Sequence, residues 1–339
     1  MQRKLMFLKK SCKLISMNNK IKTKIFISIF FVISLSLWAE DGSRVKELYS
    51  PYFISGTSSV TSLISPQSEA INPAAGALSQ RVTLNLSYIT LFGEESGISG
   101  FKGHGINIGN TIPTKAGVFS WSGHYLYSPY PIINSNSTFT LNSSFSKDLY
   151  PDFLIGAGVK LAGSLEPGMS AMMDIGVISL PGNIGFFKDF SWGIALQDLG
   201  YSSIDNAFPD PVTISAGIKS NFLKTKNIKI NASADLNIIG LTNFKSAALM
   251  LGSDIVFKDT FSINIGTRLD TYDLVHNNSF SIIPSIGFNY TFKTNIKENT
   301  DFLGISEKGW NKSEVQIQSG IAPISEKDAR QMIQEICMS

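Results

Sequence analysis

Ile228-Lys229-Ile230-Asn231-Ala232-Ser233-Ala234-Asp235-Leu236-Asn237-Ile238 is the stretch that decides the fold class. Ile228, Ile230, Ala232, Ala234, Leu236 and Ile238 occupy every second position, and only polar residues stand between them. Side chains alternate across a β-strand, so this segment has one apolar and one polar face. An α-helix would spread the same residues around its whole circumference. The polar face is rich in Asn and Ser, which suits a strand with lipid on one side and water on the other.

The same period recurs along the chain. Val82, Leu84, Leu86 and Tyr88 oppose Arg81, Thr83, Asn85 and Ser87. Phe261, Ile263, Ile265 and Leu269 oppose Ser262, Asn264, Arg268 and Asp270. Ile282, Pro284, Ile286, Phe288, Tyr290 and Phe292 oppose Ser281, Ser285, Asn289 and Thr291. Weaker copies lie near 103–112, 117–127, 136–146, 152–163, 169–180, 190–199, 211–221 and 245–257. The pattern predicts an all-β, closed antiparallel transmembrane barrel of about 12–14 strands, twelve by direct count and even in number as bacterial barrels are. Even parity would place both chain ends at one rim, facing the periplasm. Pro181-Gly182-Asn183 and Lys258-Asp259-Thr260 read as tight turns at one rim. Gly93–Gly100, Ser128–Ser137 and Tyr201–Asp210 read as longer loops at the other. Aromatic clusters at strand ends, such as Trp121-Tyr125-Tyr127-Tyr130, Phe186-Phe187-Phe190-Trp192 and Phe288-Tyr290-Phe292, suit interfacial girdles.

Composition agrees. Charged residues make up 16% of the 339 residues, well below the usual quarter or so. Mean hydropathy is +0.10, too low for a bundle of transmembrane helices. Much of the net charge of +3 comes from the basic N-terminus, which argues for targeting and against a nucleic-acid partner. Lys20, Lys22 and Lys24 precede the apolar run Ile25–Leu37, and Leu37-Trp38-Ala39 then meets the polar Glu40-Asp41-Gly42. That is the layout of a secretory signal peptide over residues 1–39, with its start at Met1 or at Met17 and cleavage after Ala39. The expected destination is the outer membrane of a bacterial cell. Residues 40–80 form an N-terminal segment without sustained alternation, 81–293 the barrel, and 294–339 a more charged periplasmic tail. Ser325 could cap a short helix in that tail carrying Ala329, Met332, Ile333 and Ile336. Cys12 and Cys337 cannot build a disulfide framework or a zinc site.

Immediately before the first strand stands Ser65-Pro66-Gln67-Ser68-Glu69-Ala70-Ile71-Asn72-Pro73-Ala74-Ala75-Gly76-Ala77-Leu78. With the small-residue stretch Tyr52–Val60 upstream, it resembles the N-terminal hatch of the FadL-like outer-membrane long-chain fatty acid transporter family. The matching residues of that family's Asn-Pro-Ala motif are Asn72, Pro73 and Ala74. A second stretch, Leu196-Gln197-Asp198-Leu199-Gly200 followed by Pro209–Gly217, resembles the PorV-like relatives, with Asp198 where they have Asn. The resemblance implies a periplasmic plug built around Asn72, Pro73, Ala74 and Gly76, and a hydrophobic small-molecule or lipid ligand. It also implies a lateral opening in the wall, for which Gly103, Gly105, Gly109 and Pro113 are the candidates. Pro73 fixes φ and Gly76 permits a tight reversal, which suits a bent plug. Ile89, Leu154 and Ile283 are apolar residues on otherwise polar faces; they could line a ligand pocket or pack against the plug.

Catalytic, metal and cofactor motifs are not found. His124 shares a strand face with Ser120 and Ser122, but a Ser and a His two or four apart on one strand rarely form a nucleophile pair, and no nucleophile elbow is present. The sequence therefore predicts a non-enzymatic channel for passive uptake of molecules such as long-chain fatty acids, in contact with outer-membrane lipid. The alternative is a structural or secretion-associated barrel, with periplasmic protein partners docking through the C-terminal tail.

Overall fold

The computed structural model of the chain describes residues 59–62, 65–78, 82–95, 98–132, 135–150, 152–164, 169–202, 212–239, 246–270, 282–295 and 312–323. The signal peptide, Tyr52–Ser58, Pro209-Asp210-Pro211 and the helix expected after Ser325 lie outside the described residues.

Thirteen strands form one closed barrel. They are β1 (Val82–Glu95), β2 (Ile98–Pro113), β3 (Val118–Ile132), β4 (Ser135–Tyr150), β5 (Phe153–Ser164), β6 (Met169–Ile184) and β7 (Phe187–Ser202). There follow β8 (Thr213–Lys224), β9 (Ile228–Ile239), β10 (Ser246–Phe257), β11 (Phe261–Asp270), β12 (Ile282–Asn295) and β13 (Lys312–Pro323). Each strand pairs antiparallel with its sequence neighbours, and β1 closes on β13 in parallel, from Val82↔Ser313 to Phe92↔Pro323. Two short 3-10 helices, Pro66–Ala70 and Pro73–Leu78, precede β1.

Alternation of apolar and polar residues sorts the two faces of the wall. Leu84, Leu86 and Tyr88 point outward and are exposed, while Thr83, Asn85 and Ser87 point inward and are buried. The same holds for Leu141 against Asn142, and for Phe288 and Tyr290 against Asn289. The outer face is thus apolar and the interior is polar, the reverse of a water-soluble sheet packed on an apolar core. Aromatic side chains gather where strands turn: Phe187 stacks near Phe186, Phe190 and Phe222, with centroid distances of 4.1, 5.9 and 6.4 Å, and Tyr290 meets Phe292 at 4.4 Å.

Three expectations are corrected. The strand number is odd, and the closing seam is parallel. Because each hairpin reverses the chain, a thirteenth strand must run in the direction of the first. The closing strand comes from Lys312–Pro323, inside the segment read as a tail. Val315, Ile317 and Ile321 do alternate there with Gln316, Gln318 and Gly320, but flanking charges hide the short pattern. Finally, β1 starts at one rim and β13 ends at the other, so the chain does not enter and leave the barrel on one side.

The rim where β1 starts carries the tight turns Thr114–Gly117, Gly185–Phe186, Thr225–Asn227 and Lys258–Thr260, with 296–311 as a long exception. The turn expected at Pro181-Gly182-Asn183 lies at Gly185–Phe186 instead; Gly182 (φ +78) sits within an irregular end of β6. The opposite rim carries the longer connections 203–212, 240–245 and 271–281. Two loops expected there, Gly93–Gly100 and Ser128–Ser137, are mostly strand extensions.

Candidate functional site

Residues 59–62 and 65–78 lie against the inner face of the barrel, and nearly every one of them is buried. Burying so much irregular backbone requires that its polar groups find partners. The inward side chains of the wall supply them. Gln67 hydrogen-bonds the Asn85 side chain on β1. The Ser144 hydroxyl on β4 donates to Glu69 Oε2 at 2.7 Å. Gln197 Nε2 on β7 donates to the carbonyls of Ala70, at 3.0 Å, and Ile71. On β9, Asp235 accepts from the Ser59 hydroxyl at 2.8 Å and from the Val60 amide at 3.0 Å. The segment is therefore tied from β1 round to β9.

Asn72 is the centre of this arrangement. Its Nδ2 donates to the Val60 carbonyl at 2.7 Å and to the Val177 carbonyl on β6 at 3.2 Å, while its Oδ1 accepts from the Ala74 amide at 3.0 Å. One side chain thus joins the two ends of the segment to the wall and shapes the turn into the second 3-10 helix. Pro73 follows, with its lack of an N–H costing nothing at the first position of that helix. The Asn-Pro-Ala motif read from sequence is brought together here.

Glycines let the segment approach this closely. A Cβ on Gly156 would overlap the Pro73 carbonyl and the Ala74 nitrogen, and one on Gly176 would overlap the Asn72 side chain. Gly156 and Gly176 are lateral partners on β5 and β6. Gly193 and Gly217, partners on β7 and β8, lie under Val60. Gly76 itself has no room for a side chain, since a Cβ would stand 2.7 Å from Ser146 Oγ.

The candidates for a lateral opening fall differently. Gly103, Gly105, Gly109 and Pro113 all lie on β2, which pairs with β1 and, from His104 to Pro113, with β3 without a break. The wall is closed at this stretch; its one irregularity is the bulge between Leu91 and Phe92 on β1, opposite Phe101–Gly103. The physical role seen for Gly109 is clearance, because a Cβ there would stand 3.0 Å from Pro66.

Of the proposed lining residues, Leu154 packs with Ala74, Ala75, Ala77 and Ile178, against the docked segment. Ile89 lies elsewhere on the inner face, next to Gly105, whose other lateral neighbour is the fully buried Leu126. Ile283 belongs to β12, and its side chain lies outside the described residues.

Lys160 and Asp174, both missed in the sequence, form with Asp198 the most buried ionic cluster among the described residues. Lys160 on β5 pairs with Asp198, and its Nζ is 3.5 Å from Asp174 Oδ2. The Asp198 amide donates to Asp174 Oδ1 at 2.7 Å. Asp198 occupies a bulge between β6 and β7 with φ +63. That left-handed conformation favours Asn, Asp or Gly, and Asp198 meets that preference.

Glu69 is the acid of the segment. Burial pushes its pKa up to about 8, against the hydrogen bonds from Ser144 and Ser122 and with a smaller push from Asp174. Ser122 also lies 3.1 Å from His124 Nε2. Both face the interior and are buried, with Asn142 donating to the same Ser122 hydroxyl at 3.3 Å. The pair is thus a member of the polar network under the segment.

No protein-family model and no curated protein sequence matches the chain. Groups of three or more His, Cys, Asp or Glu side chains able to hold a metal are not found among the described residues.

Proposed function

We propose that the chain is a bacterial outer-membrane channel for passive uptake of hydrophobic small molecules, such as long-chain fatty acids, with residues 59–78 acting as its plug. The apolar outer surface would meet lipid, and the tight-turn rim would face the periplasm, as short turns do in barrels of this class. The observation that carries the ligand class is an apolar patch on a mostly polar inner face. Ile89 and Leu126 flank Gly105 there, across consecutive lateral pairings, and each is only 1% exposed. The patch lies near the middle of β1, β2 and β3. An amphipathic molecule inside the barrel would pack against apolar side chains there. The resemblance of Asn72-Pro73-Ala74 to the transporter family's motif points the same way.

A second reading is favoured by the unbroken pairing of β2 with β3 and by the many hydrogen bonds that hold the segment. A barrel so closed suits a structural or secretion-associated protein that offers its rims to protein partners. Lipid mass spectrometry on the purified, folded barrel separates the two, together with fatty-acid binding by wild type, Leu126→Asn and Pro73→Ala. Copurified fatty acid and saturable binding weakened by Leu126→Asn support the channel. A folded barrel that binds no fatty acid but retains other proteins through purification supports the second reading.

A further inference from the structure

The segment leaves part of the lumen open. Its hydrogen bonds reach from β1 to β9, and on the far side, between β8 and β12, a cavity of about 210 Å³ opens near the tight-turn rim. That is smaller than the space drug-sized ligands occupy and equivalent to several water molecules. Its inward-facing lining is mostly polar, with Lys219, Asn231, Asp254, Ser262, Asn264 and Asn289 beside the apolar Val256.

Charge is already balanced at this cavity: Asp259, the third charged residue of its lining, pairs with Lys229 Nζ at 2.7 Å, and the other two pair with each other. Lys219 Nζ lies 3.4 Å from Asp254 Oδ2, and Asn231 Nδ2 donates to the same oxygen at 3.0 Å. An added cation would face the Lys219 ammonium, and an added anion the Asp254 carboxylate. Two acceptors remain unused. Asn264 Oδ1 and Asn289 Oδ1 are buried without a hydrogen-bond partner, although the residues are 1% and 8% exposed. A buried amide carbonyl left unpaired is costly, and each residue lines the cavity. Asn289 Nδ2 donates to Thr291 Oγ1 at 3.2 Å.

We infer that this cavity is a binding site for a small neutral polyol of about monosaccharide size. The occupant must donate hydrogen bonds to two carbonyl oxygens, must carry no net charge, and must accept from hydroxyls such as Ser262. Hydroxyl groups meet all three conditions, since each both donates and accepts. A fatty carboxylate carries charge and cannot donate, so this site is distinct from the Ile89–Leu126 patch and does not depend on it.

The test is equilibrium dialysis of radiolabelled D-glucose against the full folded chain in detergent micelles, with wild type, Asn264→Leu and Asn289→Leu. Heat-modifiability on gels confirms that each barrel is folded. Saturable binding by wild type that weakens about tenfold in each variant is the expected result, the loss of one hydrogen bond to a buried acceptor. If a variant fails to fold, competition on wild type decides: glycerol should displace glucose and decanoate should not. Absence of saturable glucose binding, persistence of full affinity in both variants, or displacement by decanoate would overturn the inference. Direct decanoate binding, measured in the same cells, reports separately on the hydrophobic channel.

Discussion

Substituting Glu69 by Gln replaces the buried acid of the docked segment with a neutral amide of the same shape. The docked carboxyl has its pKa raised from 4.5 to about 8 by burial. Below pH 4.5 the acid is protonated whether the segment is docked or free, so docking does not depend on pH. Between about 4.5 and 8 the docked state keeps a proton that the free state has lost, and docking weakens as pH rises. Above about 8 the loss is complete. Each pH unit in that window is worth about 1.4 kcal/mol, for an end-to-end loss on the order of 3–5 kcal/mol. Hydrogen exchange of peptides covering 65–78, corrected for intrinsic rates, reads this directly. From pH 6 to 7.5, opening of the wild-type segment should become easier by roughly 2 kcal/mol, about thirtyfold, relative to Glu69→Gln. The variant should show the flatter profile and the greater protection at pH 7.5. Parallel pH profiles for the two proteins would refute the reasoning, because the slope would then belong to other groups.

Asn72→Ala removes the two hydrogen bonds to the Val60 and Val177 carbonyls and should loosen the segment by about 1–3 kcal/mol; hydrogen exchange of 65–78 should speed up while that of β9 stays unchanged. Lys160→Met leaves Asp174 and Asp198 buried without their cation and should destabilise the barrel by about 3–5 kcal/mol, read as the urea midpoint of unfolding. Leu141→Arg tests the surface: the outward Leu141 is 52% exposed, so Arg should cost about 2–4 kcal/mol in refolding into lipid vesicles if it lies near the bilayer centre. A water-facing site would show a change within about 0.5 kcal/mol.

Period-two alternation made the wall legible, since β1 to β12 each contain a segment read from sequence. Strand ends were less so: Gly93 sits in a stretch that looks like a loop yet pairs with Gly100, and Ser128 lies within β3. β13 escaped because its alternating apolar residues, Val315, Ile317 and Ile321, stand near charged neighbours with no long apolar run. Parity followed from that omission, and with it the placing of the chain ends. At the site, Asn72-Pro73-Ala74 was visible as a motif, but its partners were not. Gly156, Gly176, Gln197 and Asp235 are far away in sequence and look like ordinary strand residues. Only closure of the sheet, with its register, brings them under Val60 and Pro73. Glu69 looks like a surface acid in sequence, and the packed segment alone makes it a buried one.

Ion conductance across planar lipid bilayers tests the central claim most directly, comparing wild type with Gly156→Val. A side chain at 156 collides with the Pro73 and Ala74 backbone and should keep the segment from docking. The account predicts that both proteins insert, that wild type conducts little, and that the variant opens steady steps several-fold larger. Failure of the folded wild type to insert would contradict the membrane barrel, and equal conductance of the two inserted proteins would contradict residues 59–78 as its plug.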